Sequence, residues 1–75
     1  MPRKDLKMFR LLKGLTQDEM AVKIGYSRNQ YQRVENGEFN PTLRFLVGMS
    51  KAFGMSLDTA EELTKLEEEQ KENDR

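Results

Sequence analysis

Apolar residues recur at intervals of three and four along most of this chain, and each run is bounded by residues that start or stop helices. Asp5 heads the first run as a candidate cap. Leu6, Phe9 and Leu12 then fall on one face before Gly14, which predicts a helix over about 5–13. Thr16 with Glu19 has the pattern of a capping box, in which hydroxyl and carboxylate satisfy each other's unpaired backbone N–H groups. The helix opened there presents Met20, Ala21 and Ile24 inward and stops at Gly25. Ser27 with Gln30 repeats the pattern. Tyr31 and Val34 form the buried face of that third helix, about 28–36, and Asn36-Gly37 ends it.

Asn40-Pro41 begins a fourth helix, with proline at the first helical position where no N–H is needed. Leu43, Leu46, Val47, Met49, Ala52 and Phe53 supply its apolar side, and Gly54 closes it. Gly48 lies inside this helix, where glycine costs ~1 kcal/mol relative to alanine, and nothing in the sequence accounts for it. Ser56 caps a fifth helix with Leu57, Ala60, Leu63 and Leu66. No stretch alternates polar and apolar residues for the length of a strand. The expected fold is all-α, a compact five-helix domain over residues 1–66.

The second and third helices give this pattern its functional content. Two short helices joined by a tight glycine-containing turn make a helix-turn-helix, whose second helix enters the DNA major groove. With Tyr31 and Val34 inward, Arg28, Asn29, Gln32 and Arg33 point the other way on a 3.6-residue helix. Arginine offers a donor fork matched to guanine O6 and N7, while asparagine and glutamine can bond adenine at N6 and N7. These four are the candidate base-reading set.

Charge modifies the picture. The 75 residues have zero net charge, yet residues 1–51 hold ten Lys/Arg against five Asp/Glu, and residues 52–75 hold three against eight. A basic body with an acidic end fits a nucleic-acid partner better than the whole-chain balance suggests. Residues 67–75 are all polar or charged, and a flexible acidic tail is expected there. The chain has no cysteine and no histidine, which removes disulfides, the usual zinc ligands and the usual general base. With no nucleophile–base pair and no phosphate-cradling glycine loop, no enzyme activity, cofactor or metal is expected. Apolar runs are too short to span a bilayer, and a cytoplasmic protein with no membrane partner is expected.

Taken in order, Leu6, Phe9, Arg10, Gly14-Leu15-Thr16-Gln17, Met20-Ala21, Ile24-Gly25, Ser27, Val34-Glu35-Asn36-Gly37, Pro41, Leu46 and Ala52-Phe53-Gly54 resemble the lambda-repressor-like, XRE-type helix-turn-helix family of phage and bacterial regulators. The resemblance covers about residues 5–66. It implies a sequence-specific DNA-binding transcriptional regulator, a repressor acting by occupancy of double-stranded DNA. It implies phosphate contacts at Gln17, Ser27, Gln30, Asn36 and Asn40, and a salt bridge between Arg10 and Glu35.

Three positions depart from the family pattern. Tyr31 stands where an aliphatic residue is usual, so it shifts the reading helix or lends its hydroxyl to a phosphate. Tyr26, in the turn, is expected to pack rather than to stack on bases. Glu38, in the loop expected near DNA, would be repelled by phosphate unless the loop turns aside.

Met8, Leu11 and Leu12 exceed what one helix face needs, as do the apolar residues of the last helix. Such a surplus either completes a small core or forms the interface of a homodimer. The competing reading is a protein-partnered module on the same fold, such as an antitoxin or a restriction–modification controller.

Overall fold

The computed structural model describes residues 1–66. The acidic tail expected over 67–75 lies outside the described residues. Among them the chain forms five helices and no strand: α1 (Lys4–Leu12), α2 (Gln17–Ile24), α3 (Arg28–Glu35), α4 (Leu43–Phe53) and α5 (Leu57–Leu63). None is long and apolar enough to cross a membrane.

Both capping boxes form. Thr16 Oγ1 accepts from the Glu19 amide at 3.1 Å while Glu19 Oε1 accepts from the Thr16 amide at 2.9 Å. Ser27 and Gln30 repeat this at 3.2 and 3.1 Å. Between the two helices Gly25 adopts φ 81°, a left-handed conformation that a Cβ would penalise. It lets the Tyr26 amide reach back to the Ala21 carbonyl at 2.8 Å and closes α2 tightly enough for α3 to start at once.

The core is built from Leu6 of α1, Met20, Ala21 and Ile24 of α2, Tyr31 and Val34 of α3, Phe45 and Met49 of α4, and Ala60 of α5. The Tyr31 and Phe45 rings stack at 6.0 Å, and Tyr26 meets Phe45 edge-on at 5.2 Å. Phe9 and Phe53 make a second edge-on pair at 5.0 Å, which ties α1 to α4. Each such pair stabilises by about 0.5–1.5 kcal/mol beyond the area it buries.

Several expectations need correction. Asp5 does not cap α1. The helix starts one residue earlier with Arg3 at the cap position, no side chain caps it, and Asp5 sits in its first turn, where the helix dipole favours an anion. Leu12 is 79% exposed, because Leu6 and Arg10, one turn apart, take the inward positions of α1. Helix α4 does not begin at Pro41. Thr42 is its cap, with Oγ1 accepting from the Phe45 amide at 3.2 Å, so proline only leads the chain in. The inward face also differs from the expected one: Phe45 is fully buried, while Leu43 is 68% exposed and Ala52 also faces out. Helix α3 ends at Glu35 with Asn36 as its cap. Helix α5 ends at Leu63, short of Leu66, with Thr64 as its cap and the Thr64 hydroxyl shared between the carbonyls of Ala60 and Glu61, each at 3.0 Å.

The structure also explains Gly48. A Cβ there would lie 2.6 Å from the Ile24 carbonyl oxygen and 3.2 Å from Ile24 Cβ. The residue is glycine because α2 and α4 cross with their backbones almost in contact.

Candidate nucleic-acid interface

Helix α3 is presented by a scaffold centred on one carboxylate. Arg10 reaches Glu35 with both prongs of its guanidinium, Nε to Oε2 at 2.8 Å and Nη2 to Oε1 at 3.1 Å. Its remaining Nη1 donates to the Leu15 carbonyl at 2.8 Å. The Tyr31 hydroxyl donates to Glu35 Oε2 at 2.6 Å, and Gln17 Nε2 donates to Oε1 at 3.1 Å. Burial alone would raise the Glu35 pKa, but the hydrogen bonds from Arg10, Tyr31 and Gln17 outweigh it and hold the carboxyl below its ordinary value. Burial and the same carboxylate push the Tyr31 phenol well up. Helices α1, α2 and α3 are thus locked together at the C-terminal end of α3. The phosphate role open to Tyr31 is excluded, since its hydroxyl is buried on Glu35.

On the opposite side of α3, Arg28, Asn29 and Arg33 are exposed and Gln32 is half-buried at the flank. These form a polar surface of two guanidinium groups and two carboxamides. Arg33 is not loose on it. Its guanidinium lies 3.6 Å from Glu38 Oε1 and 5.4 Å from the Phe39 ring. Glu38 therefore turns toward Arg33, which partly neutralises the carboxylate expected to repel phosphate.

The candidate phosphate residues separate into four places. Gln17 begins α2 and is half-buried, with one amide hydrogen on Glu35 and the other open. Ser27 and Gln30 are exposed at the start of α3 and hold each other: the Ser27 hydroxyl donates to Gln30 Oε1 at 3.1 Å. Asn36 is exposed at the C-cap of α3. Asn40 lies further along the loop, across a groove of about 450 Å³ from Gln30.

That groove is floored by Val34, Phe39 and Phe45 and rimmed by Tyr26, Thr42 and Arg44. Tyr26 packs, as expected: its ring rests on Phe45 and its hydroxyl shares a 2.8 Å hydrogen bond with Thr42. Arg44 stacks over that ring at 5.0 Å and donates to the Gly25 carbonyl at 3.0 Å. It places an exposed cation beside the start of α3. The sequence reading missed Arg44, although a basic residue in the first turn of a helix, where the dipole disfavours it, was a usable signal. Arg3 was also missed. It is buried, and no local pattern marks it.

A helix-turn-helix family model matches residues 6–60. The chain is 36% identical over 53 residues to an uncharacterized HTH-type transcriptional regulator of Methanocaldococcus jannaschii, covering 71% of this chain and 80% of that protein. It is 32% identical over 56 residues to another from Archaeoglobus fulgidus, covering 75% and 80% respectively. A third, from Sinorhizobium fredii, is 39% identical over 44 residues, covering 59% of this chain and 57% of that protein. No solved structure gives a significant match. With α2, the Gly25 turn and α3 all inside the matched span, the chain belongs to the XRE-type helix-turn-helix family.

Proposed function

We propose that this protein is a cytoplasmic, sequence-specific DNA-binding transcription regulator that reads the major groove with α3 and represses by occupying its site. The observation that supports this best is the two-faced character of α3. One side is fixed by Tyr31, Val34 and Glu35, and the other offers Arg28, Asn29 and Arg33 to solvent. Bidentate contacts from such residues discriminate between bases by roughly 1–3 kcal/mol each. Gln17, Ser27, Gln30, Asn36 and Asn40 would hold the phosphate backbone and set the register. Selection of duplexes from a random pool on the full-length protein, followed by sequencing, tests the reading. A shared motif is expected, and recovery of unenriched sequence would sink it.

The exposed Met8, Leu11 and Leu12 of α1 support a second copy or another protein on that face. A homodimer would place two copies of α3 about 34 Å apart, and the selected motif should then be a two-fold repeat. An asymmetric motif from a monomer in sedimentation would leave α1 to a different protein, as in an antitoxin.

A further inference from the structure

Arg3 is 2% exposed, and its hydrogen bonds join the end of α3, the loop that follows it and the end of α5. Its backbone amide donates to the Glu35 carbonyl at 2.8 Å. Its guanidinium donates from Nε to the Thr64 carbonyl at 2.6 Å, and from Nη1 to the carbonyls of Val34 at 2.6 Å and Phe39 at 3.0 Å. From Nη2 it donates to Asn40 Oδ1 at 3.2 Å. Val34 and Glu35 end α3 and Thr64 ends α5, so the cation sits where two helix dipoles place partial negative charge. The start of the chain is pressed against the same segment, since a Cβ on Gly37 would collide with the Met1 backbone carbonyl.

The bond to Asn40 has a directional consequence. A guanidinium has donors and no acceptor, so only the carboxamide oxygen can face it. The Asn40 nitrogen must then point away from Arg3. Asn40 is exposed, and its Nδ2 hydrogens make no hydrogen bond to a described residue. Across the groove, Gln30 is oriented by the same logic: its oxygen accepts from the Ser27 amide and hydroxyl, leaving its nitrogen outward. Two carboxamides lining one groove flanking α3 therefore have their oxygens engaged and their N–H donors uncommitted, an arrangement that suits an oxyanion.

We propose that Arg3 is a positioning residue for DNA-backbone binding: by holding Asn40 Oδ1 from inside, it directs the Asn40 N–H donors at a phosphate beside α3. This rests on the DNA-binding reading above. Arg3 itself touches no nucleic acid. It acts through Asn40.

The test is a double-mutant cycle on affinity for a labelled short mixed-sequence duplex at low salt. Asn40→Ala should weaken binding about tenfold, the loss of one hydrogen bond to a charged group. It should leave the salt dependence unchanged, because a neutral side chain releases no counterion. Arg3→Lys should weaken binding by a similar factor in the native background and by nearly nothing in the Asn40→Ala background. Equal losses in both backgrounds would overturn the proposal, as would an Asn40→Ala protein that binds like wild type.

Asn40→Asp keeps the test decisive if Arg3→Lys does not fold. A carboxylate there pairs with Arg3 and should maintain or raise the melting temperature, yet it loses the donors and repels phosphate. DNA binding should fall by more than in Asn40→Ala. Undiminished binding by Asn40→Asp would refute the positioning role. Failure of the wild-type protein to bind any duplex would instead remove the DNA-binding reading, and this inference with it.

Discussion

Arg10 and Glu35 meet side by side inside the fold, joined at 2.8 and 3.1 Å, with their side chains 9% and 4% exposed. Removing one partner of a buried pair costs about 3–5 kcal/mol, because the other charge is left unpaired. In a domain of this size each kcal/mol moves the melting temperature by about 4–8 °C. Glu35→Ala should therefore lower it by more than ~10 °C in a circular-dichroism melt. A change under ~3 °C would place the pair with exposed ion pairs, which contribute about 0–1 kcal/mol.

The same carboxylate predicts a pH dependence. Its pKa is held below the ordinary 4.5 in the folded protein and returns there on unfolding. A depressed folded pKa gives stability that is complete above the unfolded value and is lost as pH falls through 4.5 toward the folded value. The melting temperature should be insensitive to this group above about pH 6 and should decline in acid. Glu35→Gln should show a shallower acid decline than wild type. Parallel curves would assign the acid sensitivity to other carboxylates.

Gly48→Ala should destabilise, against the usual rule. Alanine in a helix interior normally gains about 1 kcal/mol over glycine. Here the added Cβ meets the Ile24 carbonyl oxygen at 2.6 Å, and α2 and α4 must part to admit it. Overpacking of this kind costs about 1–3 kcal/mol. A raised melting temperature would show that the two helices separate freely.

Base reading and backbone contact should separate under mutation. Arg33→Ala should cost roughly 1–3 kcal/mol on the preferred site and relax selectivity at one base pair. Gln17→Ala should weaken all sequences about equally and leave the salt slope unchanged, since the side chain is neutral. Binding curves on the selected site and on single-base variants distinguish the two. A uniform loss from both substitutions would mean that α3 is not the reader.

What the sequence revealed, and what it did not, follows from how local each determinant is. The boxes at Thr16–Glu19 and Ser27–Gln30 are settled within one turn of chain, so both were legible, as was the inward set Met20, Ala21 and Ile24. Pro41 misled because Thr42 is the cap and the helix begins at Leu43, two residues later than expected, with Phe45 rather than Leu43 buried. The close approach at Gly48 depends on Ile24 of another helix, and spacing within α4 cannot express it. Family resemblance, not periodicity, gave Arg10 and Glu35. Arg3 was out of reach of both: its partner Thr64 lies 61 positions away, and a charged residue near a chain start reads as solvated.

The contact between Arg3 and Thr64 makes the described fold nearly a closed ring, since its first and last described turns touch at 2.6 Å. Chains whose ends meet on one side tolerate being joined there and reopened at a distant turn. A short tether from Leu66 back to Met1, with new ends opened between α4 and α5, would leave the α2–Gly25–α3 unit uninterrupted. Topologically, then, the order in which the helices are strung is separable from the surface that α3 presents.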